Sequence, residues 1–164
     1  EAACGRPWIG PAGKRLMRWM TEEVGFESLE AFRRQVYMAA VTRCYPGPNA
    51  RGHGDRRPGP LEIANCRPFL AEALSLIQPA VLVLVGGLAI EQFLGKVPLD
   101  RVIGQAIPMG FGDFEATLVP LPHPSGASTW LNAPSHQALL RQGLGQLRRL
   151  IRGGELAELG DAAA

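Results

Sequence analysis

The sequence predicts an α/β fold, a three-layer α/β/α sandwich around a mostly parallel central sheet of about four strands. Three observations carry this expectation. Residues 80–85 form an unbroken apolar run with the length and branched side chains of a strand buried on both faces. Gly86-Gly87 then turns the chain tightly towards a helix-like stretch, as a βα unit requires. Along the rest of the chain, strand-like and helix-like segments alternate, the pattern of helices layered on a sheet.

Taken in order, residues 11–24 form a helix with Leu16, Met17, Trp19, Met20 and Val24 on its apolar side. Gly25 ends it, and a short second helix covers residues 27–34. Residues 35–41 are apolar and strand-like. Residues 45–60 make a long loop crowded with Pro and Gly, and loops of that length in compact domains are functional or mobile. A helix follows over residues 61–77, with Pro60 at its start and Ile63, Phe69, Leu70, Ala73, Leu74 and Ile77 facing inward. After the 80–85 strand, residues 88–94 are a short helix. Residues 105–121, broken at Gly110-Phe-Gly112-Asp113, form a hairpin feeding a final strand over 115–121. Ser135 caps a last helix to about residue 152, and residues 153–164 are expected to be a disordered tail.

At 164 residues the chain suits one domain with one core, here 1–152. No apolar run approaches the ~18 residues of a membrane span. Three cysteines without a secretion signal argue against a disulfide framework, and a cytoplasmic monomer is the expectation. The net charge of +2 is too small to imply nucleic acid by itself. Arg43, Arg51, Arg56 and Arg57 nevertheless crowd one loop, opposed only by Asp55, as either a phosphate-binding patch or a solvated charge run.

The final strand leads into Pro122-His123-Pro124-Ser125. Each proline fixes its own φ, and Pro124 also pushes His123 into an extended conformation. Such a stiff support aims an imidazole with little entropy to lose, just beyond the carboxyl end of a strand, where open α/β sheets bind ligands. The alternative is a proline-rich turn with an exposed histidine. Gly86-Gly87, lacking the rest of a dinucleotide fingerprint, is taken as a tight turn and not a phosphate cradle.

Four segments together resemble the uracil-DNA glycosylase superfamily, closest to its iron–sulfur branches, families 4 and 5. They are Gly5-Arg-Pro-Trp8-Ile-Gly10-Pro-Ala-Gly13; Val36-Tyr37-Met-Ala-Ala40-Val-Thr-Arg43-Cys44-Tyr-Pro-Gly47 leading to Arg57-Pro58-x-x-x-Glu62-x-x-x-Cys66; Pro79 to Ala89; and His123-Pro-Ser125. The resemblance implies a DNA-repair glycosylase that flips a deaminated base out of the stack and hydrolyses its bond to the sugar. On that basis Trp8 stacks on the extruded base, and His123 stabilises the charge developing on the ring. Ser125 lies along the DNA strand, Ala40 sits at the base-recognition position, and Arg43, Arg56 and Arg57 meet phosphates. Trp130 or Leu131 fills the gap left by the flipped base, or packs in the core. Cys44 and Cys66 match the second pair of ligands of a 4Fe-4S cluster, a group normally held by four thiolates. Their spacing, 21 intervening residues, exceeds the family's usual gap. Cys4 falls in the wrong place and is taken as an incidental thiol.

The same resemblance puts a first strand, a water-activating loop and two cluster ligands before Glu1. The chain is thus expected to be an N-terminally incomplete domain that folds poorly and shows little activity alone. Alanine at position 40, where family 4 usually has asparagine, leaves uracil selectivity open and admits hypoxanthine. Other readings are a covalently DNA-trapping member, faintly echoed in residues 51–57, and a non-catalytic damage- or single-strand-binding module on the same fold.

Overall fold

The computed structural model describes residues 8–50, 54–126 and 128–161. Helix α1 (Pro11–Arg18) opens on a proline, whose missing N–H would have had no helical partner, and continues as a π-helical turn, Trp19–Val24. Gly25, at φ 102°, stops it. Helix α2 (Leu29–Gln35) is capped by the Ser28 hydroxyl, which accepts the Ala31 N–H at 3.0 Å. There follow α3 (Pro60–Ile77), β1 (Val81–Val85), α4 (Gly87–Leu94), α5 (Leu99–Val102), β2 (Ile107–Gly110), β3 (Glu115–Leu121), a 3-10 turn (Trp130–Asn132) and α6 (Pro134–Asp161).

The sheet has three strands in the order β1-β3-β2, with β1 parallel and β2 antiparallel to β3. The expected four-stranded, mostly parallel sheet is corrected on two counts. First, the backbone turns extended at Val36 (φ −117°, ψ 119°), but residues 36–40 join no strand of the described sheet, and an extended segment is a strand only once a neighbour takes its hydrogen bonds. Second, β2 reaches β3 through a tight turn in which the Phe111 N–H donates to the Phe114 carbonyl at 2.8 Å, and so short a link forces the antiparallel arrangement.

Alternation along the strands creates two cores. Val119 and Leu121 of β3, with Val81, Val83 and Val85 of β1, face Leu16, Met17, Met20 and Val24 and the Leu140, Leu144 and Leu147 face of α6. Leu118, Leu82 and Leu84 face the other way, onto Ile90, Val102 and Ile103. Helices therefore cover both sides of the sheet, as a three-layer architecture requires. Pro120 fits in the central strand because of register. The Thr117 N–H points to β1, donating to the Ala80 carbonyl, so the nitrogen of residue 120 points to the β2 side, and β2 pairing ends at Leu118.

Two local expectations change. Helix α6 begins at Pro134, which places Ser135 inside the first turn and leaves Ala133 to accept the first helical N–H groups. Helix α3 has the expected span, but of its residues only Cys66 is buried, while Phe69 and Ile77 remain 49% and 44% exposed. A groove of about 310 Å³ opens between α3, α4 and the β2–β3 turn, and a helix buries its apolar face only where another layer meets it. Among the described residues no helix is long and apolar enough to cross a membrane.

Candidate active site

The carboxyl ends of β1 and β3 lie side by side, with Val85 opposite Leu121. Each strand runs directly into a site residue, Gly86 from β1 and, after Pro122, His123 from β3. The Gly86 N–H donates to the Leu121 carbonyl at 2.8 Å and ties the two strand ends together. Pro122 and Pro124 are both fully buried, so the backbone on either side of His123 is anchored in the protein while its own side chain stays open to solvent.

One hydrogen bond sets the chemistry of that imidazole. The Ser125 N–H donates to His123 Nδ1 at 3.2 Å, so Nδ1 acts as acceptor and the neutral ring carries its proton on Nε2. Desolvation lowers the His123 pKa from its ordinary 6.5, favouring this neutral form. The result is an N–H donor held at the strand ends, suited to an oxygen on which negative charge develops.

Trp8 lies beside it, with ring centroids 6.1 Å apart and planes tilted by 40°. The indole is half-buried, and its backbone has φ 62°, a left-handed conformation costly for so bulky a residue. Gly13 permits this close approach: a Cβ at that position would lie 1.8 Å from the Trp8 carbonyl oxygen. Two motif glycines thus border the site, Gly13 against the Trp8 backbone and Gly86 against the His123 side chain.

Trp8, His123 and Ser125 come together. Ala40 lines a small pocket of about 130 Å³ with Tyr37, Arg43, Cys66 and Phe69. Arg43 holds its guanidinium over the Phe69 ring at 5.3 Å, and its backbone N–H donates to Cys66 Sγ at 3.4 Å. That bond brings the residue next to Cys44 against Cys66, with Cys66 buried and Cys44 exposed. Two thiols would make at most half of a four-thiolate ligand set. Among the described residues, no group of three or more His, Cys, Asp or Glu side chains is placed to hold a metal ion. Cys4, Arg51 and His53 lie outside the described residues.

Arg56 spends its donors inside the protein. It bonds the Pro46 carbonyl, the Arg57 carbonyl and both carboxylate oxygens of Glu62. Arg57 pairs with Glu91 on α4. The two arginines therefore brace the loop against the start of α3 and against α4. Trp130 stacks on His136, centroids 4.1 Å apart and planes within 5°, and His136 Nδ1 donates to the Trp130 carbonyl at 2.8 Å. One indole face is thereby covered.

Sequence reasoning missed Glu62, Glu91 and His136 as partners, and Gly86 as a neighbour of His123. Glu62 alone had a readable signal: an acid three residues after Gly59, ahead of an apolar run, marks a helix start.

Fold and site together define a class of protein, an α/β domain that presents a neutral imidazole and an aromatic face at the carboxyl ends of parallel strands. The Uracil DNA glycosylase superfamily model matches residues 1–144, and the chain belongs to that superfamily. It is 32% identical over 153 residues to a Type-4 uracil-DNA glycosylase of Thermotoga maritima, covering 92% of this chain. A Type-4 uracil-DNA glycosylase of Sulfurisphaera tokodaii is 28% identical over 151 residues, covering 89% of this chain. The chain spans 66% and 62% of the lengths of those two relatives.

Proposed function

We propose that the protein is a DNA glycosylase of base-excision repair, hydrolysing the bond between sugar and a flipped uracil or other deaminated base to leave an abasic site. The observation that carries this reading is the Ser125–His123 hydrogen bond, which puts the proton of a neutral imidazole on Nε2, in a ring whose centroid lies 6.1 Å from that of Trp8. When the bond between sugar C1′ and the base nitrogen breaks, its electron pair moves onto the base and its carbonyl oxygen. His123 Nε2–H donates to that oxygen, Trp8 stacks on the base, and water adds its hydroxyl to C1′ while its proton is released.

Ala40 brings no side-chain donor or acceptor to the base, so selection rests on backbone groups and pocket shape, and hypoxanthine joins uracil as a substrate. Arg43, Arg57 and Ser125 lie along the DNA. Arg56 acts in the same surface as the brace that holds the loop. Cys44 and Cys66 would supply two of four thiolates to a 4Fe-4S cluster, which when bound would cross-link this loop to α3 and play a structural part. Similarity to two Type-4 uracil-DNA glycosylases over about nine-tenths of the chain supports the reading.

The test uses the protein at its natural length on oligonucleotides containing one uracil, single-stranded or paired with guanine, followed by alkaline cleavage. Strand scission that falls about 10²–10³-fold in His123→Ala is the expected result, the range for losing one donor to a developing oxyanion. Undiminished scission in His123→Ala would remove His123 from the mechanism. Scission at hypoxanthine alone would reassign the base, and DNA binding without scission at either would leave a binding module.

A further inference from the structure

We propose that Gly86 is a positioning residue for His123: the absence of a side chain at position 86 lets the imidazole settle against the β1 turn with Nδ1 in reach of the Ser125 N–H. The inference rests on the reading of His123 as the donor to the departing base.

Gly86 follows β1 at φ 88° and ψ 161°, a region open almost only to glycine. A Cβ built there would lie 3.0 Å from His123 Cδ2, 3.2 Å from its Cβ and 3.5 Å from its Cγ. The contact has little room to relax. Buried Pro122 and Pro124 hold the histidine backbone, and the Gly86 N–H is bonded to the Leu121 carbonyl at 2.8 Å. A methyl group at 86 therefore turns the ring, and a turned ring loses the 3.2 Å bond from Ser125 that places the proton on Nε2.

Helix α4 supplies its own controls. Gly95, at its far end, has φ 72° and ψ −168°, so alanine there is strained in the same way, yet nothing lies within 4 Å of its Cβ position. Gly87 also has open space at its Cβ position, with no left-handed backbone. Gly95→Ala carries the strain without the collision, and Gly87→Ala carries neither.

The experiment measures kcat and KM on uracil-containing DNA, melting temperature, and nitrogen-15 NMR of the His123 ring in the natural-length protein. Gly86→Ala is expected to lower kcat about a hundredfold, with KM within about twofold, since a small misplacement of a catalytic group costs that much. Its His123 resonances should lose the Nε2–H tautomer pattern. Gly95→Ala should lower the melting temperature while leaving kcat and the tautomer unchanged, and Gly87→Ala should alter none of them. An unchanged His123 spectrum in Gly86→Ala, or an equal loss of kcat in Gly95→Ala, would overturn the proposal. If the unmutated protein releases no base, the functional reading falls, and the His123 spectrum still decides for or against Gly86. Should Gly86→Ala fail to fold, Gly86→Ala/His123→Gly is expected to recover folding as the whole colliding side chain is removed, and a double variant that also fails to fold would count against the collision.

Discussion

At the scale of single residues the site depends on one proton. His123 Nδ1 accepts the Ser125 N–H, and desolvation holds the ring's pKa below 6.5, so the donor at neutral pH is an uncharged Nε2–H. Protonating Nδ1 breaks that bond and puts charge on a partly desolvated ring. The folded state then binds fewer protons than the unfolded one between its lowered pKa and 6.5. This contribution to stability is fully present above 6.5 and lost as pH falls through the folded value. The activity profile should follow: kcat/KM flat through neutral pH, with an acid limb whose midpoint lies below 6.5 and disappears from the residual rate of His123→Ala. A midpoint at or above 6.5 would mean that the cation is the active form. The sequence made His123 visible, since flanking prolines are local chemistry. It put Trp8 in the same site only through the family resemblance and did not reveal Gly86 as a neighbour, because these contacts join segments from three separate parts of the chain.

At the scale of elements, the start of α3 is held by Glu62. Its carboxylate accepts the Gly59 N–H at 2.6 Å and both ends of the Arg56 guanidinium, and these bonds, Arg56 first, hold its pKa down to about 2 from the usual 4.5. A depressed carboxylate stabilises the fold above its unfolded pKa, and here the benefit fades as pH drops from 4.5 through about 2. Glu62→Gln should lower the melting temperature at pH 7, with the two proteins converging near pH 2. Equal melting temperatures at pH 7 would show that the brace contributes nothing measurable. Element spans were largely legible: α1 with its π turn, α3, α4 and the β2–β3 hairpin fall within a few residues of their expected positions. Residues 36–40 were not legible as unpaired, because apolarity and branched side chains report a preference for extended backbone and say nothing of a neighbour. The inward face expected on α3 failed for a similar reason, since helical periodicity names a stripe and not what lies against it.

At the scale of the whole molecule, β3 joins the two cores, sending Leu118 into one and Val119 and Leu121 into the other. Leu118 has no exposed surface. Leu118→Ala should therefore cost about 2.7–5 kcal/mol, the range for fully buried leucines, measured as a shift in urea midpoint with unchanged slope. A loss below about 1 kcal/mol would mean that the α4–α5 layer collapses onto the gap or is only loosely attached.

By itself the sequence determined the local chemistry of this protein. It specified helix starts at proline, a buried apolar strand, a rigid Pro-His-Pro turn and two cysteines whose order and setting resemble a known superfamily. All of these follow from conformational limits and hydrophobic period within a few residues. Only the tertiary structure decided that β1 and β3 end side by side, that Arg56 and Arg57 are braces on Glu62 and Glu91, and that Trp130 leans on His136. Those pairings join residues distant in the chain. Which partner each finds is set by strand register and helix packing, which no short stretch of sequence contains.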